Sequence, residues 1–145
     1  MDHVAILKRS WGLLPKITSG EKTCEARWYK TKHTPWDTVH KGERIYFKNS
    51  GDLVSLVAIV SEVYQYPVKD NSRALEIMKK HATADLGTDR ISEDILKYIS
   101  NKNYAMFIYF NNVKKVKPFE INKKGFGSMA AWITTKSIKG IKLKC

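Results

Sequence analysis

Residues 19–28 carry side chains whose types and spacing can do chemistry. They place a lysine, a carboxylate and an arginine close together, at Lys22, Glu25 and Arg27. If residues 21–29 form a strand, alternate side chains share a face, so Glu25 and Arg27 point the same way. Lys22 stands at the turn where that strand begins. The pattern predicts either a solvated ion pair, worth about 0–1 kcal/mol, or the polar floor of a cleft.

The same alternation assigns the other residues of this strand to two faces. Thr23 and Tyr29 join the polar face, whereas Cys24, Ala26 and Trp28 form an apolar face that we expect in the core. We therefore expect the polar face and the lysine before it to lie in one solvent-open cleft.

The spacing of these residues resembles the signature of a known family. The pattern Gly-x-Lys-x-x-Glu-x-Arg is similar to that of the ASCH family, named for activating signal cointegrator homology, in the PUA-like superfamily. The matching positions are Gly20, Lys22, Glu25 and Arg27. Residues 41–47 look like the second landmark of the family, a turn glycine followed by a polar residue and an apolar strand. Residues 49–52 fit the hairpin turn that follows. The resemblance covers about residues 3–66, and the remainder only by the order of elements.

Composition is consistent with one domain over residues 1–145. A chain of this length buries about two-thirds of its extended surface, which is enough for one core. Its 43% hydrophobic and 11% aromatic residues argue against disorder. No window approaches the ~18 apolar residues of a membrane span, so we expect no membrane association. The two cysteines, Cys24 and Cys145, make no disulfide framework, which favours a cytoplasmic location.

The positive charge is unevenly distributed along the chain. There are 26 Lys and Arg residues against 14 Asp and Glu residues, a formal net charge of +12. Residues 51–111 hold seven basic and eight acidic residues, whereas residues 112–145 hold nine lysines and one acid, Glu120. The excess positive charge therefore lies towards the two ends of the chain. Such a surface attracts phosphates, although excess lysine also serves solubility.

The order of elements predicts an α+β fold. Strands are expected at residues 3–9, 21–29, 44–48, 53–64, 104–110 and 113–121. A short helix, capped by Ser10, is expected to end near Ile17, and longer helices are expected at residues 71–84 and 92–101, the latter capped by Ser92. Strands at both ends with helices between them are similar to the PUA-like mixed β pseudobarrel, with a helical insert and a short N-terminal helix.

Several aromatic residues lie in the parts of the chain that are rich in lysine and arginine. Proteins that bind single strands combine these residue types, because aromatic rings stack on bases while lysines contact phosphates. Trp36, in a proline-bearing loop, and Trp132 are the candidate stacking platforms. The turn at residues 125–128 is either a plain glycine turn or a phosphate-binding one. The predicted nucleic-acid-binding residues are Lys22, Glu25, Arg27, Tyr29, Trp36, Lys48, Asn49, Ser50, Lys123, Lys124 and Trp132.

The resemblance also implies a catalytic alternative. Some bacterial relatives look like amidohydrolases of acetylated cytidine, with a lysine at the position of Lys22, a threonine where this chain has Glu25, and a glutamate on a later helix. Residues 80–85 resemble the context of that glutamate and place Asp85 there. Ribonuclease activity is also ascribed to family members. The candidate catalytic residues are therefore Lys22, Glu25 and Asp85. Glu25 favours the charged form of the lysine, which opposes a nucleophilic amine.

The sequence thus predicts a module that binds RNA, or single-stranded nucleic acid, in a basic cleft, with recognition of a modified base as a further option. The alternative is an ASCH-type enzyme acting on N4-acetylcytidine or on RNA. His81 and Asp85, four residues apart on a helix, lack partners for a metal site, so we expect an exposed pair, no metal and no cofactor. We expect a monomer.

Overall fold

The computed structural model describes residues 1–127 and 129–143, in which six β-strands and three α-helices are found. In chain order they are β1 (Asp2–Leu7), α1 (Leu13–Ser19), β2 (Cys24–Tyr29), β3 (Arg44–Asn49), β4 (Val54–Pro67), α2 (Asn71–Leu86), α3 (Glu93–Ile99), β5 (Tyr104–Phe119) and β6 (Trp132–Thr135). Short 3-10 helices occupy Arg9–Trp11 and Ile138–Gly140. The helices α2 and α3 are inserted between the two longest strands, as predicted.

All six strands belong to one mixed sheet in the order β2-β5-β4-β3-β1-β6. The pair β1–β3 is parallel and the other neighbours are antiparallel. The central pair β4–β5 contains three register shifts, between Val54 and Leu56, Val57 and Ile59, and Val60 and Glu62. Such bulges increase local twist and bend a sheet, so the strands curl into a half-barrel. The predicted α+β fold, with a helical insert and a short N-terminal helix, is confirmed.

Burial of the strands follows from which of their faces are covered. Inside the half-barrel, a core cluster includes Ala5, Phe47, Leu56 and Ile108. On the other side of β2 and β5, a second cluster joins Cys24, Trp28 and Phe107 to Ala74, Ile77 and Met78 of α2. A third cluster packs under the C-terminal segment and includes Val4, Tyr46 and Phe119. Strand β2 is therefore covered on both faces, which places its polar residues in a dry setting.

Apart from shifts of up to three residues at the ends of other elements, two elements differ from the sequence prediction. Ser10 does not cap the first helix, because a 3-10 helix ends at Gly12 in the left-handed region (φ 60°) and α1 begins only at Leu13. Pro15 then falls in the first turn of α1, where a backbone N–H is not needed. The two strands expected at 104–110 and 113–121 form the single strand β5, although Asn112 has a positive φ of 54°.

The other predicted helix signals hold. Gly20, with φ 84°, ends α1, since a residue without Cβ enters the left-handed region at little cost. Ser92 caps α3 by accepting a hydrogen bond from the backbone N–H of Ile95. Asp70 caps α2 in the same way. In the part of the chain that the structure describes, no helix is both long and apolar enough to cross a bilayer.

The buried side chain of His3 links β1 to neighbouring segments through hydrogen bonds. The Trp132 indole N–H donates to His3 Nδ1 (3.2 Å), so the ring proton lies on Nε2 and is donated to Glu43 Oε1 (2.9 Å). Thr134 Oγ1 is 3.0 Å from Nδ1, and the N-terminal amine is 3.2 Å from Glu43 Oε2. Burial lowers the pKa of His3 below 6.5, although Glu43 opposes this effect. The folded state therefore holds His3 neutral.

Stability should consequently fall as the pH is lowered from 7 towards 5. The unfolded chain protonates its histidines near pH 6.5, whereas folded His3 and His81 both have lowered pKa values, so acid favours unfolding. The expected loss is on the order of 1 kcal/mol per histidine. Urea unfolding at several pH values measures it, with His3→Gln as the comparison. If the His3→Gln variant keeps the full pH dependence, His3 does not cause it.

Candidate nucleic-acid interface

Lys22, Glu25 and Arg27 line one cavity of about 440 Å³, as their spacing predicts. The strand begins at Cys24, so Lys22 lies just before it and reaches the cavity from the end of the α1–β2 connection. The alternative of a solvated ion pair is excluded, because Lys22, Glu25 and Arg27 are 1%, 5% and 8% exposed. They form the floor of the cavity, and electrostatic interactions there are stronger than at an open surface.

Asp85 completes this floor from the last turn of α2. Lys22 Nζ donates to the Asp85 carboxylate at 2.5 Å and to the Asp85 backbone carbonyl at 2.7 Å. Glu25 Oε1 lies 3.7 Å from the same ammonium. Gly87 ends the helix with φ 73°, which leaves carbonyls near its C-terminus without helical partners, where a cation is favoured. The structure thus brings together the three candidate catalytic residues.

The ammonium of Lys22 is retained at neutral pH. Burial alone would lower its pKa, but the carboxylates of Glu25 and Asp85 overcome that effect and raise it. Burial raises the pKa of Asp85, while Lys22 counteracts this shift. A lysine acts as nucleophile or base only when its amine is free. In this arrangement Lys22 is therefore a fixed positive charge.

Arg27 closes the open side of the half-barrel. From β2, its guanidinium donates to the carbonyl of Ile6 in β1 (3.3 Å) and to that of Ala131, just before β6 (3.2 Å). It lies over the Trp132 ring, 5.3 Å from the centroid. The sequence predicted that Arg27 binds nucleic acid; in the structure its guanidinium donates to backbone carbonyls across the sheet.

Two buried atoms of the floor have no hydrogen-bond partner among the described residues. They are Glu25 Oε2, 3.9 Å from the nearest Arg27 nitrogen, and Arg27 Nε. One is an acceptor and the other a donor. Buried polar groups normally form hydrogen bonds, so this acceptor and this donor are exceptions within the floor.

The outer edge of β2 is covered by helices rather than by a strand. The backbone N–H of Ala26 donates to the Asp85 carboxylate, and that of Trp28 donates to the Tyr98 hydroxyl. α2 and α3 therefore satisfy this edge with side chains and form one wall of the cavity. The edge is kept from pairing with another strand.

The walls and mouth are mainly apolar and aromatic. Their lining residues include Trp11, Leu13, Met78, Leu86, Ile95, Tyr98, Ile99 and Met129, with Lys8, Ser50 and Lys123 at the rim. Sequence reasoning missed Trp11, Tyr98 and Met129 as site residues. Trp11 had one usable signal, since it lies two residues after the basic pair Lys8-Arg9.

Neither predicted tryptophan platform faces this cavity. Trp132 is 4% exposed, because β6 pairs with β1 and carries its ring into the core, so the prediction of an open platform there is wrong. Trp36 is half-buried and packs edge-on against Tyr104 (5.1 Å between centroids), with Lys32 nearby. Tyr29 is half-buried, and burial raises its pKa to about 12.

The predicted basic residues are split between the rim and other surfaces. Ser50 and Lys123 line the cavity, whereas Lys124 is exposed elsewhere. Lys48 is largely buried, and burial together with the charge of Lys123 lowers its pKa. Asn49 pairs with Leu7 across β3 and β1 and does not line the cavity.

Three further expectations concern residues away from the rim. His81 and Asp85 are both buried, so the expectation of an exposed pair is wrong. The His81 ring is held between the hydroxyls of Tyr66 (2.8 Å) and Tyr109 (2.5 Å). Across residues 1–127 and 129–143, no group of three or more His, Cys, Asp or Glu side chains is arranged to hold a metal ion. The Cys24 thiol is buried.

The predicted glycine turn is described only in part. Gly125 and Gly127 have φ values of 90° and 91°, as a turn requires, while Ser128 lies outside the described residues, as does Cys145.

Comparison with known proteins yields similarity in structure alone. No family model matches the chain, and no curated protein matches it significantly in sequence. A Tyr-to-Phe and a Ser-to-Ala variant of an ASCH protein from Zymomonas mobilis each superpose with a TM-score of 0.66 at 16% identity. They cover 96% of this chain and 93% and 91% of theirs. A further structure of ASCH from that organism gives a TM-score of 0.59 at 17% identity, covering 81% of this chain and 71% of its own. The chain therefore has the fold of the ASCH domain proteins, as the pattern from Gly20 to Arg27 predicted.

Proposed function

We propose that this protein binds single-stranded RNA and takes one unpaired base, ordinary or modified, into the cavity. The observation that carries the proposal is the cavity itself, a space of about 440 Å³ with a polar floor and apolar walls. It lies in a chain with a net charge of +12. Ligand sites commonly combine apolar walls with a few placed polar groups, and basic surfaces supply affinity for the backbone.

The charges of the floor favour a base over a phosphate. Lys22 and Arg27 are balanced by Glu25 and Asp85, so the floor offers no surplus positive charge. A base edge presents N–H donors and carbonyl or ring-nitrogen acceptors. The carboxylate of Glu25 and the guanidinium of Arg27 both line the cavity and supply an acceptor and donors for such an edge. Phosphates are then left to the lysines of the rim.

RNA affinity should fall steeply with salt. For single strands, each phosphate contact contributes about 0.7 to the slope of log affinity against log salt. Lys123→Ala should reduce this slope by about 0.7 and weaken binding at low salt, because Lys123 lines the rim. Lys69→Ala, at an exposed position away from the cavity, is the matched control and should leave the slope unchanged. Fluorescence anisotropy of a labelled RNA octamer measures both.

The absence of binding would contradict the proposal directly. If the wild-type protein retains neither single-stranded RNA nor DNA at low salt, it is not a nucleic-acid-binding module. Equal affinity for RNA and DNA of the same sequence would keep the module but remove the preference for RNA, which depends on contacts to the 2′-hydroxyl.

A second candidate is hydrolysis of a modified nucleoside or of RNA, because Lys22, Glu25 and Asp85 converge at one point. There a carboxylate would act as general base, and the Lys22 ammonium would stabilise developing negative charge on oxygen. Incubation with N4-acetylcytidine, cytidine and labelled RNA tests this reading. Release of acetate, or the appearance of shortened RNA, would support the enzyme if the Asp85→Asn variant lacks this activity. If all three substrates stay unchanged, the binding function is supported instead.

A further inference from the structure

Trp11 stands apart from the other three tryptophans. It is 37% exposed and lines the mouth of the cavity, whereas Trp28 and Trp132 are buried and Trp36 lies outside the cavity. A tryptophan ring is costly to leave in water, because it carries a large apolar area. Gly12, in the left-handed region, turns the chain directly after Trp11 and separates it from α1. Trp11 is thus held at the mouth by the end of the 3-10 helix.

The ring of Trp11 is oriented by a partner and flanked by cations. Tyr98 of α3 packs against it at right angles, with 5.8 Å between the centroids and 88° between the planes. The ammonium of Lys8 is 5.5 Å from the Trp11 centroid, and that of Lys102 is 5.4 Å from the Tyr98 centroid. Two aromatic rings, each beside a lysine, are the combination that grips single-stranded nucleic acid, where bases stack and phosphates follow the cations.

Met129 also lines the mouth, from the segment that leads to β6. It is 92% exposed, the largest value among the exposed hydrophobic residues. Methionine adapts its shape and makes favourable contacts with aromatic rings, so it can pack on a base. Lys123 lines the mouth from the same part of the chain. The mouth therefore offers apolar surface and positive charge together.

We infer that Trp11 and Met129 form a second nucleotide site at the mouth, where Trp11 stacks on the base next to the one inside the cavity. The phosphate between the two nucleotides meets Lys8 and Lys123. The ligand class is then a single strand of at least two nucleotides, and a free nucleoside fills only part of the site. This inference rests on the proposed function, because it presumes a base in the cavity.

Charge complementarity selects this occupant over an apolar protein segment. Lys8 and Lys123 line the mouth, and Lys102 lies beside the Tyr98 ring. The carboxylates of the cavity lie on its floor and are already paired with Lys22. An apolar peptide would bury Lys8 and Lys102 without offering an anion to either, which is costly. A phosphodiester chain neutralises them.

The inference is tested by anisotropy with labelled mono-, di- and octanucleotides of one sequence. Affinity should rise at least about tenfold from mono- to dinucleotide. Trp11→Ala should abolish this gain and weaken the octanucleotide by about ten- to a hundredfold, a range typical of losing one stacked base. It should change mononucleotide affinity less than about twofold. Trp11→Phe keeps a ring and should retain most of the affinity, which separates stacking from folding. Trp36→Ala is the matched control and should bind as the wild type does.

The outcomes separate this inference from the proposed function. If the octanucleotide binds but Trp11→Ala binds every length as the wild type does, the second site is wrong and the RNA-binding function stands. If a mononucleoside competes as well as the octanucleotide does, the second site is also wrong, and a small-nucleoside ligand is favoured. If the wild type binds none of the oligonucleotides, both the proposed RNA-binding function and the second nucleotide site are wrong.

Discussion

Replacing Lys22 by methionine should destabilise the protein by about 3–5 kcal/mol. The side chain is 1% exposed and faces the carboxylates of Glu25 and Asp85. Methionine fills a similar volume but leaves the buried Asp85 without its cation and Glu25 with only Arg27, 3.9 Å away. Removing one partner of a buried ion pair typically costs this much. The Asp85 backbone carbonyl also loses its donor. Denaturant unfolding at pH 7 measures the loss.

Lys16→Met is the matched control. Lys16 also donates to the C-terminal end of α2, at the carbonyl of Leu86 (3.2 Å), but it is only half-buried and forms no ion pair with a described carboxylate. Its loss should cost about 1 kcal/mol or less. A similar cost for both variants would mean that packing, and not the buried charges, explains the Lys22 result.

The loss in Lys22→Met should also depend on pH in a defined direction. Burial already raises the pKa of the Asp85 carboxyl, and without the ammonium of Lys22 to oppose that shift this pKa rises further above its value in the unfolded chain. The folded variant then binds protons more tightly than the unfolded chain does, so acid stabilises it relative to the wild type. The difference between variant and wild type should shrink from pH 7 to pH 5. A difference that grows on acidification contradicts this account.

The sequence predicted the chemistry of the floor because local rules determine it. A strand of period two places Glu25 and Arg27 on one face, and a glycine at the end of a short helix brings Lys22 beside them. The resemblance of residues 80–85 to the context of a family glutamate made Asp85 a candidate catalytic residue, and the structure places its carboxylate against the Lys22 ammonium. These inferences required only neighbours along the chain or a matching pattern.

The errors concern contacts between residues distant in sequence. Trp132 is buried because β6 pairs with β1, so that it lies beside Ala5. Arg27 binds carbonyls at Ile6 and Ala131, and no local pattern indicates that β2 approaches them. Trp11 became a site residue because the chain turns at Gly12 instead of continuing as a helix. The composition gives the number of aromatic and charged side chains, but which of these side chains line the same cavity depends on the topology.

Arg27→Ala should destabilise the protein by about 2–4 kcal/mol and loosen the open side of the half-barrel. It removes both hydrogen bonds to the carbonyls of Ile6 and Ala131, the stacking on Trp132 and the nearest cation to Glu25 Oε2. Each buried group left unpaired costs about 1–3 kcal/mol. Arg27→Lys should recover only part of the loss, because an ammonium cannot span two carbonyls as a planar guanidinium does.

Hydrogen exchange locates the effect, and salt dependence identifies its cause. Amides of β1 and β6 should lose protection in Arg27→Ala, while those in the centre of β4 and β5 should lose protection only through global unfolding. Arg44→Ala, at an exposed position on β3, should cost less than about 0.5 kcal/mol. If Arg27 acts by holding the two ends of the sheet together, its removal weakens RNA binding without changing the salt slope. If instead stability is unchanged and the slope falls by about 0.7, Arg27 is a direct phosphate contact and the half-barrel is closed by other means.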